Sequence, residues 1–419
     1  MFEERSGWKA LSAFWPEAGV ICLANMAVLV SVLVNPLGVG LDFWIPKVEE
    51  LASLHIPVSN FYPVGPALLC LPFVVTGLGS IVAIFFYLNL GLIFYALICR
   101  RIEDRLIARL ALFAILLNPY FYWLVVSSRD CVLQFFTLSF AFYLLLESRP
   151  VAFSLVGILA ALVRSTDLFV FGGLAVVLFA KWRKPVWLLF PAFYLVVMAG
   201  NMALYGSPSP STNGGYNIFL GQHPLYAVAY PSYDIDQFFE TKGFSSPERL
   251  FNMHRAPETE PELDAKYRAK GLAFMKDDPV RALHDAFSKM AIWLFNFQKT
   301  PTVSGAIYLK EGGQSIAIDS VKSGKLLVGQ AIYVLYKFAY NILFAVTIFY
   351  ACMRPRDFLS NRHFFLVLPV FFVLPVILLS FPDTRFKIVY EVLALPALLI
   401  FARLAAQAIS RPESHGRRA

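Results

Sequence analysis

The sequence predicts an all-α polytopic membrane protein that crosses a bilayer about ten times, and three observations predict it. Of its 419 residues 58% are apolar and only 15% charged, against about a quarter charged in soluble domains. Apolar segments recur at the roughly 20-residue length that spans a hydrocarbon core. The Lys and Arg residues behind the net charge of +8 gather in short clusters between those segments, as the positive-inside rule requires. That placement points to membrane lipids as partners and away from nucleic acid.

The chain opens on a charged, aromatic lead with no clear cleavage site, which reads as a retained first span over 17–36. An outer loop over 38–66 follows. Residues 64–78 are apolar but short and broken by Pro66, Pro72 and Gly77, the pattern of a re-entrant segment. Residues 80–99 cross and end at Arg100-Arg-Ile-Glu-Asp-Arg105, a cytoplasmic marker. Residues 106–126 return, with Asn118-Pro119 ending or kinking the regular helix. Ser127-Ser-Arg-Asp130 makes a tight outer turn before 131–146.

Residues 151–180 are long for one span and short for two. Only a hairpin turning at Arg164-Ser-Thr-Asp167 leaves Lys181-Trp-Arg-Lys184, Arg354-Pro-Arg356 and the Arg-rich C-terminus all inside. After a crossing over 185–205, a polar segment reaches about residue 326. It is too long for an ordinary loop, so it predicts a folded outer domain of mixed structure inserted before the last three spans (327–352, 364–381, 388–405). Helix-like patterning fills 257–297, and 282–297 reads as a helix lying in the membrane interface with Trp and Phe at headgroup depth. The expected modules are thus 1–205, 206–326 and 327–419.

The five cysteines (Cys22, Cys70, Cys99, Cys131, Cys352) sit in or beside apolar runs, so neither a disulfide framework nor a metal site is expected. No cofactor motif stands out. The absence of any Asn-x-Ser/Thr acceptor leans toward a bacterial inner membrane.

Charges near the bilayer are the informative residues, because each costs about 2.5–3.5 kcal/mol at a helix centre. In the outer loop, Asp42, Glu49 and Glu50 are carboxylates able to act as a base on a polar substrate. Under the predicted topology Asp42, Asp130, Arg164, Asp167, Asp383, Arg385 and Lys387 share the depth of the outer span ends. Arg385 and Lys387 offer a planar fork and a point charge for a phosphate, with Arg164 and Lys289 able to contribute. Polar outer turns and span ends anchored by snorkelling are the plain alternatives. The run Ser211-Thr-Asn-Gly-Gly-Tyr-Asn-Ile-Phe-Leu-Gly-Gln-His-Pro224 combines amides and aromatics suited to a carbohydrate, with Asn213, Tyr216, Asn217 and His223 as candidate contacts. Its Asn-Gly-Gly predicts a tight turn.

Five stretches together resemble bacterial relatives of the dolichyl-phosphate-mannose protein mannosyltransferases, family 39-like membrane glycosyltransferases of GT-C type. They are the loop with Asp42 returning through Phe61-Tyr-Pro-Val-Gly-Pro-Ala-Leu-Leu69, the Ala160-Ala-Leu-Val-Arg-Ser-Thr166 turn, Ser211 to Pro224, the run Asp264 to Pro279 with Lys289 and Trp293, and Asp383 to Pro396. The resemblance implies a sugar taken from a polyprenyl-phosphate donor on the outer face, with inversion and without a nucleotide-sugar motif. Asp42 would be the base, with Arg385, Lys387, Arg164 and Lys289 at the donor phosphate and Asp130 and Asp383 at the substrate. The acceptor would be a glycan, lipid or protein hydroxyl. The chain departs from the family where Phe43-Trp44 follows Asp42, which keeps Glu49 and Glu50 as alternative bases, and where Lys387-Ile-Val replaces Arg-Leu-Pro. A polymerase or ligase using a lipid-diphosphate donor, and a lipid-glycan transporter or flippase, are the competing classes.

Overall fold

The computed structural model describes residues 14–34, 45–57, 59–119, 121–122, 125, 130–229, 235, 238–239, 242–244, 259–295, 307–311, 314–318, 324–382 and 384–410. They are predominantly helical. The first part of the chain forms α1 (Trp15–Val34), α2 (Ile45–Ala52), α3 (Gly65–Val75), α4 (Gly79–Arg100), α5 (Arg105–Ala114), α6 (Asp130–Leu146), α7 (Pro150–Val163), α8 (Asp167–Trp182) and α9 (Leu189–Tyr205). Then come α10 (Gly214–Gln222), α11 (Glu260–Asp277), α12 (Pro279–Phe295) and an antiparallel hairpin of β1 (Ile307–Glu311) and β2 (Gln314–Ile318). Two long helices, α13 (Gly324–Met353) and α14 (Thr384–Ser410), follow. Among the described residues four stretches are long and apolar enough to cross a membrane: Gly79–Arg100, Pro185–Tyr205, Ala331–Met353 and Lys387–Ser410.

Local chemistry explains the breaks. α3 is short because Pro72 lies inside it and Thr76 ends it, its hydroxyl donating back to Pro72 O at 2.8 Å. Gly77 and Gly79, at φ 77° and 78°, then make the left-handed link to α4 that other residues disfavour. Asp104 caps α5 by accepting from the amides of Leu106 and Ile107, and the regular helix stops at Ala114 before a 3₁₀ turn reaching Asn118. The hairpin expected over 151–180 forms as α7 and α8, broken at Arg164 to Thr166. The stretch over 364–381 is divided into Arg362–Leu366, Leu368–Phe372 and Leu374–Leu379, because Pro369 and Pro375 cannot donate to a preceding turn.

α4 packs on α6 through aromatic pairs, Phe94 on Phe140 at 4.4 Å and Tyr87 on Phe136 at 4.9 Å. α14 is buried on all sides from 387 to 398. Such a helix belongs at the centre of a bundle. α1 joins α4 by an amide pair, Asn25 Nδ2 donating to Asn89 Oδ1 at 2.8 Å, a bond type that holds helices together in hydrocarbon.

The bundle has two chemically distinct ends. At one, Arg100 pairs with Glu17, Arg101 with Glu147 and Arg403 with Asp104, while Lys181 donates to Leu359 O and Arg362 to Arg101 O. Of the basic clusters that argued for the hairpin, Lys181 reaches the carbonyl of Leu359 close after Arg354 to Arg356, while the C-terminal arginines lie outside the described residues. The opposite end carries α10, α11 and α12 over a second small core of Tyr216, Phe219, Leu220, Tyr226, Phe239, Tyr267 and Phe381.

Two expectations about this outer segment are corrected. Asn213-Gly-Gly is not a left-handed turn: its glycines open α10, and positive φ occurs elsewhere among the described residues. Gly215 is small because α10 lies against α11. A Cβ on Gly215 would stand 2.0 Å from Asp264 O, and one on Gly271 would meet Ile218 and Phe219 at 2.9 Å. Nor does α12 turn its Trp outward, since Trp293 is buried within the protein and donates its indole N–H to Val370 O at 2.8 Å. α12 instead turns Arg281, Asp285 and Lys289, spaced by four, inward, and leaves Val280, Leu283 and Phe287 exposed. Charge pairing and carbonyl contacts make the inner face the polar one.

Candidate functional site

The polar end of the bundle is organised by Arg164, the residue that breaks α7 from α8. Its Nε and Nη2 both donate to Asp130 Oδ2, at 3.0 and 2.7 Å, and its Nη1 donates to Gln134 Oε1 at 3.2 Å. Asp130 and Gln134 are four apart on α6 and so share a face. Gln134 Nε2 donates onward to Asp167 Oδ1 and to the Tyr390 hydroxyl, both at 3.0 Å. Tyr390, on α14, donates to the same Asp167 oxygen at 2.5 Å, and Thr166 lies 3.3 Å from its hydroxyl. Asp167, Gln134 and Tyr390 are completely buried. Three helices and one turn are thus fixed by one continuous network, which in low dielectric is stiff when its members are satisfied.

The network continues outward. Ser165 meets Ser211 at 3.1 Å, and Ser211 donates to Asn213 Oδ1 at 3.0 Å. Beside it stands buried Glu260, the first residue of α11, accepting from Ser59 Oγ at 2.5 Å, Asn60 N at 2.9 Å and Thr212 Oγ1 at 3.2 Å. Glu50 and Glu260 both lie within electrostatic range of Tyr205. The return of the outer loop is pressed against the Arg164 turn, for a Cβ on Gly65 would sit 2.4 Å from the backbone of Leu162 and Val163. Residues near 50, 60, 130, 165, 211, 260 and 390 therefore meet at one end of the bundle.

A second ionic cluster occupies another face of α14. Lys387 Nζ pairs with Glu391 Oε1 at 3.0 Å and donates to Leu294 O at 3.2 Å. The rings of Trp293 and Tyr340 lie 5.9 and 5.6 Å from the ammonium. Lys337, on α13, is buried, lies 4.6 Å over the Tyr333 ring, and is within electrostatic reach of both Glu391 and Lys387.

The predicted residues fall into three groups. Asp130 and Arg164 meet as described, with Asn213 joined to them through Ser211. Lys387 and Lys289 do not converge with Arg164. Lys289 is sealed beneath α10, donating to Gly221 O at 2.7 Å and Leu378 O at 3.2 Å, with Tyr226 4.6 Å away; burial pulls its ammonium down to about 7, Asp285 opposing and Arg281 adding to the shift. Tyr216 is buried against Phe219 and Tyr267, and Asn217 sits half-buried on α10. His223 is enclosed by Phe219, Phe239, Phe244 and Phe274 at 4.8–5.3 Å, and burial lowers its pKa. Glu49 is exposed and Glu50 half-buried on α2. Asp42 and Asp383 lie outside the described residues, as does the side chain of Arg385, whose backbone is in the first turn of α14.

Gln134, Tyr390, Glu391 and Glu260 belong to these clusters but carry no sequence-based expectation. Two had a signal: Gln134 stands four residues after Asp130, and Glu391 four after Lys387, each inside an apolar run. Glu260 shows only the capping box of Thr259 and Glu262 beside it. Among the described residues no group of three or more His, Cys, Asp or Glu side chains could hold a metal ion. No protein-family model, curated protein or solved structure matches the chain.

Proposed function

We propose that this chain is an inverting membrane glycosyltransferase of GT-C type, moving a sugar from a polyprenyl-phosphate donor to an acceptor hydroxyl. One observation carries the reading. Stretches that resemble the family while lying far apart in sequence adjoin at the polar end of the bundle: the loop return at Asn60, the turn at Arg164, Ser211 to Asn213, and α14 at Tyr390. In this reading the chain makes about ten crossings of a bacterial inner membrane, and the basic end of the bundle is cytoplasmic.

The chemistry is a single displacement. A carboxylate, Asp42 by resemblance with Glu50 next in line, takes the acceptor proton as the acceptor oxygen attacks the anomeric carbon. The bond from that carbon to the phosphate oxygen breaks, and the lipid phosphate leaves with the electron pair, stabilised by Arg385 and Lys387. Arg164 has its nitrogens engaged by Asp130 and Gln134, so its role is to brace the turn.

Transfer from purified polyprenyl-phosphate sugar in detergent tests the proposal. Asp42→Asn is expected to lower the rate by about 10²–10⁴, and Arg385→Ala to lower it with the acceptor KM unchanged. Full activity in Asp42→Asn passes the role to Glu49 or Glu50, and turnover of only a lipid-diphosphate donor would identify a polymerase or ligase. A lipid-glycan transporter is the second reading, favoured by Lys337 and Glu391 standing inside long apolar helices, where ionisable groups commonly line a path. Flipping of a labelled lipid glycan in vesicles without sugar transfer would select it.

A further inference from the structure

Lys337, Lys387 and Glu391 form a cluster of two ammonium groups and one carboxylate. Lys337 and Lys387 retain 7% and 1% of their exposure and Glu391 none. The Lys337 ammonium has no hydrogen-bond acceptor among the described residues, although it has three donors to satisfy. Its contact is the face of Tyr333. A second carboxylate would balance the cluster, yet none among the described residues bridges Lys337.

Depth and surroundings select a ligand. Lys387 and Glu391 follow the start of α14 at Thr384 by about 5 and 10 Å along the axis, within the first two to three turns of a helix long and apolar enough to cross a membrane. Lys337 is flanked on α13 by exposed Val334, Leu335 and Phe338, an apolar strip along which a hydrocarbon chain can lie. Paired ammoniums suit a phosphate as point charges, and Trp293 and Tyr340 give the site an aromatic floor.

We propose that this cluster binds the phosphate of a phosphorylated lipid, and that Glu391 is a resident counter-ion that competes with the phosphate and weakens its hold. The inference rests on the glycosyltransferase reading for the identity of that lipid as the donor, and adds to it a third cation and an internal competitor. When the site is empty, Glu391 neutralises Lys387. When phosphate enters, it takes up the bonds of Lys337 and shares Lys387, and the nearby carboxylate keeps the complex short-lived. A site of this kind releases its leaving group.

Binding of farnesyl phosphate to the purified full chain in a neutral detergent, with farnesol and inorganic phosphate as competitors, tests this without any sugar present. Lys337→Met is expected to weaken binding about tenfold or more while the unfolding midpoint holds. Glu391→Gln is expected to tighten binding severalfold, because it removes the competing charge. If Glu391 serves only to hold Lys387, Glu391→Gln weakens binding instead, and the proposal is overturned. Unchanged affinity in Lys337→Met overturns it as well. Inorganic phosphate competing as well as the lipid would overturn the lipid assignment, and so would farnesol competing equally. If the two variants behave as expected but no sugar moves from a loaded donor, the transferase reading fails alone. If transfer proceeds in Lys337→Met with an unchanged donor KM, the present inference fails alone.

Discussion

Two buried ionic clusters sit on different faces of α14 and are built to opposite rules. Around Arg164, one cation bonds one carboxylate and one amide, with Asp167 in electrostatic reach, and its Nε, Nη1 and Nη2 all have partners. Around Glu391, one carboxylate serves two cations, and one of these, Lys337, lacks an acceptor among the described residues. The first arrangement fixes a turn and three helices. The second leaves charge in reserve, which costs stability and is kept where a ligand supplies the missing partner.

The largest effect should come from the cluster around Arg164. Arg164→Met removes its bonds to Asp130 and Gln134, and a hydrogen bond to a charged group contributes about 1.5–3 kcal/mol. A marked fall in the unfolding midpoint in detergent is expected, and Arg164→Lys should restore little because it lacks the fork. A midpoint unmoved by Arg164→Met would break the contrast.

Lys289 sharpens it as an intermediate case, a sealed ammonium whose partners are carbonyls. Its folded value near 7 lies below the ordinary 10.5, so between those values the unfolded chain binds more protons. Stability should therefore rise with pH across that window, by no more than about 1.4 kcal/mol per unit. Lys289→Met should flatten the slope when unfolding midpoints are compared from pH 7 to 10. A slope equal in both proteins would assign the pH dependence elsewhere.

The smallest effect belongs to Lys337→Met without ligand. Replacing an underpaired buried charge with an apolar side chain of similar length should leave stability level or raise it by about 1 kcal/mol. A loss as large as that of Arg164→Met would show that the two clusters obey the same rule.

The sequence made the framework readable where charge was arithmetic. The break between α7 and α8 followed from counting sides, and Arg100, Lys181, Arg362 and Arg403 all make contacts across neighbouring helix ends. It was less readable where a residue's meaning depends on its partner. Glycines at 215 and 221 are consistent with either a turn or a close backbone approach, and only the proximity of Asp264 and Ser380 distinguishes them. Lys289 and Trp293 carried the signature of an interfacial helix, but the same spacing of four puts Arg281, Asp285 and Lys289 on one face, and that face points inward. Glu391 stands one helical turn beyond Lys387 inside an apolar run, and its meaning depends on a second lysine, Lys337, that α13 brings within electrostatic reach.

The tight seat of Gly65 on α7 also bears on how the chain is made. α3 has only 11 residues, about 16 Å of helix, roughly half the hydrocarbon thickness. The backbone it rests on, at Leu162 and Val163, is synthesised about a hundred residues later, a wait of roughly 5–20 s at ordinary translation rates. During that interval the half-length helix and the loop before it have no floor. The outer loop therefore acquires its final position late in biogenesis, when α7 arrives, and a truncated chain ending before α7 should leave that loop open to protease or thiol labelling.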